Sequence, residues 1–328
     1  MANPFFTVVI PLYNKSATIA QTLSSVLAQT DISFEVIVVD DGSTDFGHTI
    51  VQTFHDERVR LIRQENAGPG AARNAGIAAA HGEWIAFLDA DDLIATNHLS
   101  ELGRIADRYP KAGLIGTAFK EVHGAEVDLQ AQKEGRICPV DFFNVVASGQ
   151  NPLCSSSAAI RSSVPETIGG FSNAKLGEDR EYWARAALSF AVVTSDATTC
   201  YYRKDVAGTT ASSARRWQGK QLRRAGDIAP AAAVAEAAIS DPAHTQKSAS
   251  LGRFIDTYIG YCLHASVVAG DVATIRQLPT LYKYGPEPQD LIWLRAARLP
   301  LPFAKAAIAY VRAVRSLGSR CTRLLRHG

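Results

Sequence analysis

Four short runs of almost unbroken apolar, often β-branched residues punctuate the start of the chain: Phe6–Ile10, Phe34–Val39, Val59–Ile62 and Trp84–Leu88. Helix-like stretches lie between them, at Thr18–Leu27, Thr49–His55 and Ala71–Ala80. A strand apolar on both sides must be covered on both sides, and strands alternating with helices pair in parallel through crossovers. An α/β sheet flanked by helices is therefore expected. Three of the runs end in polar clusters: Pro11-Leu12-Tyr13-Asn14, Asp40-Asp41-Gly42-Ser43 and Asp89-Ala90-Asp91-Asp92. Open α/β sheets bind ligands outside the carboxyl ends of their strands, so these clusters should share one edge.

Beyond this region the texture changes twice. A helical pattern from Asn97 to about Tyr109 stops at Pro110, and Ala112–Val206 mixes short strands with loops. After about Arg215, Ala-rich helical segments dominate, interrupted at Pro230, Pro242, Pro279 and the Pro286/Pro288 pair. The spacing predicts two domains, 1–214 and 215–328, which suits a chain of 328 residues. A hydrophobic content of 47% excludes a disordered or fibrous chain. With 34 Lys+Arg against 32 Asp+Glu, the overall charge gives no reason to expect nucleic acid as a partner. The start MANPFFTVVIPLYN has no basic n-region, and no apolar window reaches the ~18 residues of a spanning helix. The five cysteines are scattered without CxxC or His pairing. These features predict a cytoplasmic protein with free thiols. Between Asp290 and Gly328, eight Lys/Arg accompany one acid, Asp290, and interleave with Leu291, Ile292, Leu299, Phe303, Ile308 and later apolar residues. Two readings fit this stretch: a basic amphipathic surface touching a membrane through 291–326, or a helical subdomain packing its apolar stripe inward.

Asp89, Asp91 and Asp92 taken alone suit a turn followed by a helix cap. Asp40 and Asp41 end a second strand of the same sheet, and carboxylates converging at one edge repel unless a cation or donor-rich ligand sits among them. Hard oxygen ligands suit Mg²⁺ or Mn²⁺, which combine one or two carboxylates with substrate phosphates. The segment Asn66-Ala67-Gly68-Pro69-Gly70-Ala71-Ala72-Arg73 adds glycines that allow close backbone approach and a guanidinium with planar donors. It is not a dinucleotide fingerprint, because Arg73 stands where the third glycine should be and the segment follows the third strand.

PLYN at 11–14, VVDDGSTD at 38–45, NAGPGAARN at 66–74, LDADD at 88–92 and GEDREYWAR at 177–185 occur in an order and spacing that resemble glycosyltransferase family 2. The resemblance spans roughly residues 5–205. It implies the GT-A fold, a Rossmann-like mixed sheet flanked by helices, here followed by a mainly helical C-terminal region. It also implies inverting transfer from a nucleotide-sugar donor. By position, Pro11, Tyr13 and Asn14 would line the nucleotide pocket. Asp40 would pair with a uracil ring while Asp41 orders the Gly42-Ser43 turn, or the two would exchange roles. Asn66 and Arg73 would border the base, ribose or diphosphate, Asp89 the ribose or sugar, and Asp91 would ligate Mn²⁺ or Mg²⁺. Asp92 is read as a cap, Glu178 as a supporting acceptor and Asp179 as the general base.

One departure concerns the Tyr-Arg-x-His that many relatives carry after the last core strand. Here the match is Tyr202-Arg203-Lys204-Asp205. Either Asp205 ligates the cation in place of the histidine, or Arg203 or Lys204 neutralises the phosphates while Asp205 faces water. Trp183 is read as core, with stacking on an acceptor sugar as the alternative. The expected function is transfer from a UDP-sugar to a glycan or lipid-linked acceptor in surface polysaccharide or lipopolysaccharide assembly. Two rival readings stand beside it. A nucleotidyltransferase would need a glycine-rich basic loop where PLYNKS stands, and a degenerate sugar-nucleotide-binding scaffold would lack turnover.

Overall fold

Three of the apolar runs, Phe6–Ile10, Phe34–Val39 and Trp84–Leu88, form largely buried strands, whereas Val59–Ile62 forms an edge strand that is only partly buried. The computed structural model describes residues 4–30, 32–123, 127–174, 177–204 and 220–310. The chain divides into two compact units, Met1–Gly208 and Thr209–Gly328. In the first, the strands are β1 (Phe6–Leu12), β2 (Phe34–Asp41), β3 (Val59–Gln64), β4 (Trp84–Phe87), β5 (Leu93–Ile94), β6 (Ala112–Val122), β7 (Ile137–Val140), β8 (Ala158–Arg161) and β9 (Ala191–Arg203). The helices are α1 (Ile19–Leu27), α2 (Gly47–Gln52), α3 (Pro69–Ala79), α4 (His98–Arg108), α5 (Phe142–Ala147), α6 (Val164–Ile168) and α7 (Glu178–Ser189).

Among the described residues the strands form one mixed sheet in the order β3-β2-β1-β4-β8-β6-β9-β5, with β7 paired to β9. Strands β3, β2, β1 and β4 are mutually parallel, and β8 enters antiparallel between β4 and β6. Alternation along β2 explains its continuous apolar sequence. Val36 and Val38 pack with Ile19, Leu23 and Val26 of α1, while Ile37 and Val39 pack with Ala72 of α3. Helix α3 lies close to the sheet because small residues face it: a Cβ on Gly76 would stand 2.3 Å from Val9.

Register decides where the loops emerge. Leu12 of β1 lies opposite Asp40 of β2, and Val9 lies opposite Phe87 of β4. The polar clusters after β1, β2 and β4 therefore leave the sheet at the same carboxyl edge, as expected from the strand pattern. On the far side of β4 the sheet is mixed: β8 runs antiparallel to both β4 and β6, whereas β6 and β9 pair in parallel.

The second unit is helical: α8 (Pro230–Ile239), α9 (Ser248–Ala269), α10 (Val272–Gln277) and α11 (Leu291–Ala297), with helical turns between them. Helix α9 buries Leu251, Phe254, Ile255, Tyr258, Ile259, Cys262, Leu263 and Val267, the stripe expected of an amphipathic helix. Among the described residues no helix is long and apolar enough to cross a membrane.

Buried at the start of α4, His98 bonds through Nδ1 to Thr199 Oγ1 at 2.8 Å. Desolvation lowers its pKa to about 3. An unfolded imidazole titrates near ~6.5, so between these values the unfolded chain binds the extra proton and folding weakens as pH falls. Urea unfolding between pH 7 and pH 4 should show a loss approaching about 1.4 kcal/mol per pH unit from this residue. His98→Gln should flatten the profile relative to wild type; parallel profiles would show that His98 is not neutral in the fold.

Candidate active site

The loops after β1 and β2 are stitched to one another. Asn14, at a positive φ of 51° that its side chain tolerates, donates its N–H to Ser43 Oγ at 3.1 Å. Its Oδ1 accepts from Thr44 N at 2.8 Å, and Asp45 accepts from Ser16 N at 2.8 Å. Tyr13 stands 44% exposed on this wall, with Pro11 half-buried below it. Of the two adjacent aspartates, it is Asp40 that orders the turn, accepting from Ser43 N at 3.0 Å. Of the two assignments open for this turn, the structure has the second, Asp40 in place of Asp41. The other oxygen of Asp40 accepts from Arg63 Nε at 2.9 Å. Asp41 instead shapes the next loop, accepting from Gln64 Nε2 at 2.7 Å, Ala67 N at 2.9 Å and Gly68 N at 2.8 Å. Asn66 is exposed at the head of that loop.

The segment Asp89–Asp92 is held by hydroxyls from α1 and its cap. Thr18 donates to Ala90 O at 2.8 Å and Thr22 to Asp92 O at 2.9 Å. Lys15 forms an ion pair with Asp91, and the Arg203 guanidinium donates to the Asp91 carbonyl. Asp92 is fully buried and precedes a strand rather than a helix, so it is no helix cap. It accepts from Ser156 Oγ at 2.5 Å and from Arg203 N at 3.0 Å. Burial, and then the charge of Asp89, push its carboxyl well above the usual range.

Asp179 comes to the same place from far along the chain. Gly177, with φ 77°, turns the backbone into α7, whose first turn carries Glu178 and Asp179. Between the two clusters lies a short 3-10 turn, Ser155–Ser157. Ser155 donates to Asp179 Oδ2 at 3.0 Å, while Ser156 bonds Asp92 and accepts from Asp89 N at 3.0 Å. Arg73 completes the link. It is 3% exposed and donates to Asp89 Oδ1 at 2.7 Å and to Glu178 Oε1 at 2.9 Å. Burial works against its charge, but Asp89, Glu178 and Asp179 hold it firmly protonated. Asn74, one residue on, fixes the approach to α7: its Oδ1 accepts from Phe171 N at 2.7 Å and its Nδ2 donates to Phe171 O at 2.9 Å.

The donor set suits a hard divalent cation. Burial raises the Asp89 carboxyl; Arg73 opposes this, while Asp91 and Asp179 add to it, so the cluster gains from added positive charge. Among the described residues no three His, Cys, Asp or Glu side chains form a ready cage. Such a cation would take part of its shell from donor phosphates and water, as Mg²⁺ commonly does. Asp205, named above as a candidate ligand, lies outside the described residues. Trp183 is 1% exposed and packs against Phe87, Phe171 and Tyr182, which corrects the alternative that it stacks on a sugar. The Ser155–Ser156 bridge and Lys15 were not singled out for these roles from sequence. The polar Ser155-Ser156-Ser157 run against the apolar strand Ala158–Ile160 was the available signal for the first.

Residues 7–164 match the family described as Glycosyl transferase family 2. The Rhizobium meliloti succinoglycan biosynthesis protein ExoO is 47% identical over 105 residues, 32% of this chain and 30% of that protein. An uncharacterized glycosyltransferase of Nostoc sp. is 33% identical over 171 residues, 49% of this chain and 52% of that protein. The putative glycosyltransferase EpsH of Bacillus subtilis is 40% identical over 108 residues, 32% of this chain and 31% of that protein. The chain thus spans about a third to a half of the length of these curated relatives. Among solved structures, S. aureus TarS 1–349 in complex with UDP-GlcNAc superposes with a TM-score of 0.66 at 21% identity, covering 94% of this chain and 91% of that one. The mannosyltransferase PcManGT from Pyrobaculum calidifontis, in complex with GDP-Man and Mn²⁺, gives 0.54 at 21% identity over 94% and 87%. At such identity the likeness concerns the fold, which is the GT-A arrangement of mixed sheet and flanking helices, with a helical region after it.

Removing one partner from a buried charge network strands the others. Arg73→Met should therefore destabilise the chain by about 3–5 kcal/mol in urea unfolding. Adding Glu178→Gln should recover part of that loss by removing one stranded charge. A cost below about 1 kcal/mol for Arg73→Met would show that the carboxylates do not depend on it.

Proposed function

The chain belongs, through residues 7–164, to glycosyltransferase family 2, and we propose on that premise that it moves a sugar from a nucleotide-diphosphate donor to a hydroxyl acceptor with inversion. The observation that carries this reading is the Ser155–Ser156 bridge, which joins the Asp89–Asp92 loop to Asp179. One side of this pair suits a diphosphate and the other an acceptor hydroxyl. The donor is a UDP-sugar, and the acceptor is a glycan or lipid-linked sugar of surface polysaccharide assembly. The named roles of ExoO and the UDP-GlcNAc bound to TarS support that choice.

In this reading the nucleoside lies against Pro11, Tyr13 and Asn14. Arg63, whose side chain is 55% exposed, is the partner a base N–H would displace from Asp40. Asn66 borders the ribose. Asp89 faces the ribose or sugar, and Arg73 fixes its orientation from below. Asp91 would hold Mn²⁺ or Mg²⁺, with Asp205 a further candidate ligand. The cation supplies charge neutralisation for the departing diphosphate. Lys15, now paired with Asp91, is positioned to follow the phosphates as that pair rearranges.

Asp179 accepts the proton of the acceptor hydroxyl as its oxygen attacks the anomeric carbon opposite the leaving nucleotide. Ser155 and the N–H of Arg180, which donates to Asp179 Oδ1 at 2.7 Å, hold the carboxylate in one orientation. Both donate, so they orient the carboxylate without competing for the proton it accepts.

Two measurements test this. Asp179→Asn should keep donor binding and lose at least about a hundredfold in transfer, the usual scale of a lost general base; normal transfer would refute the assignment. Thermal stabilisation by UDP or a UDP-sugar with Mn²⁺ or Mg²⁺ should disappear with EDTA and weaken in Asp91→Ala. A shift with GDP or dTDP derivatives alone would overturn the uracil assignment of Asp40. Donor binding without turnover on any acceptor would favour a sugar-nucleotide-binding scaffold.

A further inference from the structure

The segment from Leu291 to Tyr310 in the helical unit is apolar on its outward side as well as its inward one. In the helix formed by residues 301–310, Ala304 and Ile308 are buried, one turn apart. The opposite face carries Phe303 at 66% and Tyr310 at 71% exposure, with exposed Ala306 between them. The turn before it presents Leu299 at 43% and Leu301 at 47%. This turn is built rather than loose. Arg276 of α10 donates to Ala297 O at 2.8 Å and to Leu299 O at 2.6 Å, so the backbone there is bonded inward while the Leu299 side chain remains half in water.

Charge identifies the occupant. Exposed Arg295, Arg298 and Lys305 border the apolar residues, and no acid occurs anywhere in 291–328. The sequence after Tyr310 adds five more arginines, so these 38 residues hold eight of the chain's 34 cations and none of its 32 acids. Such a division leaves the preceding chain net acidic, and Arg295, Arg298 and Lys305 put positive charge beside the exposed leucines and aromatics. An acidic protein surface would satisfy the cations but not Leu299, Leu301 and Phe303, and a second copy of the same basic surface would be repelled. An anionic lipid surface satisfies both: the apolar side chains enter the boundary between headgroups and acyl chains, and the cations meet lipid phosphates.

We propose that residues 291–310 form a docking surface for anionic membranes, with Leu299, Leu301 and Phe303 inserted and Arg295, Arg298 and Lys305 at headgroup level. The proposal is independent of the donor and acceptor assigned above. The surface is peripheral, since a face of this size buries too little to hold the chain irreversibly.

Flotation of the full chain with phosphatidylcholine vesicles containing phosphatidylglycerol tests it. Binding to these vesicles should exceed binding to pure phosphatidylcholine at least about tenfold at low salt and fall when salt screens the cations. A Leu299→Ser, Leu301→Ser, Phe303→Ser variant should lose about tenfold or more of the binding, the scale expected for withdrawing three apolar side chains from lipid. An Arg295→Gln, Arg298→Gln, Lys305→Gln variant should lose mainly the preference for anionic lipid. Unchanged far-ultraviolet circular dichroism and an unchanged cooperative melt would show that both variants remain folded. No binding of the wild type to anionic vesicles overturns the proposal, as does full binding by the serine variant, which would assign the contact elsewhere. Conversion of a wild-type dimer to a monomer by the serine substitutions, without vesicle binding, would assign the face to a second copy instead.

Discussion

A guanidinium buried between two carboxylates is stable only while both stay in place, and those around Arg73 come from very different parts of the chain. Asp89 is 16 residues away and Glu178 is 105. The ion pairs therefore do more than neutralise charge. They bind the loop after β4 to the start of α7, and with it Asp179. Desolvation makes the arrangement costly to break, because removing Arg73 strands two carboxylates and removing either acid leaves the buried guanidinium one ion-pair partner short. The small residues of α3 allow it: Gly70 could not carry a Cβ without meeting Ser172 O at 2.6 Å, so the helix that carries Arg73 lies close enough to reach both acids.

Around that tie the fold uses neutral hydroxyls. Thr18, Thr22, Ser155 and Ser156 bond the backbone or carboxylates of the cluster without adding charge. A second set of cations would have neutralised Asp89, Asp91 and Asp179 altogether and removed the reason for a metal or diphosphate to bind. Lys15 and Arg203 are the exceptions, and the Lys15 side chain, 17% exposed, stays in reach of solvent. The helical unit distributes its polarity differently. Arg276 and Asp271 satisfy backbone groups at helix ends, and the apolar surface at Leu299–Phe303 stays outside.

Much of the first unit was legible in the sequence because local rules govern it. Unbroken apolar runs separated by helical periodicity specify buried parallel strands, and the observed bounds of β1, β2 and α4 lie close to those expected. The end of α4 next to Pro110 follows from the same local chemistry. Less legible was the division of labour between neighbours. Asp40 and Asp41 differ by one position but point to opposite sides of β2, so one orders the Ser43 turn and the other the Ala67–Gly68 loop. Nothing in a DD pair reveals which side faces which loop.

The sequence by itself determined the alternation of strands and helices, the order of the polar clusters and their emergence at one sheet edge, because these depend on periodicity and handedness over short stretches of chain. Tertiary structure decided what touches what at that edge. It made Asp92 a buried strut rather than a helix cap, put Trp183 into an aromatic core and set Ser155 and Ser156 between two groups of carboxylates. It also paired Lys15 with Asp91 across 76 residues. Each of these depends on how closely two backbones approach and how much water remains between them, quantities that no local pattern carries.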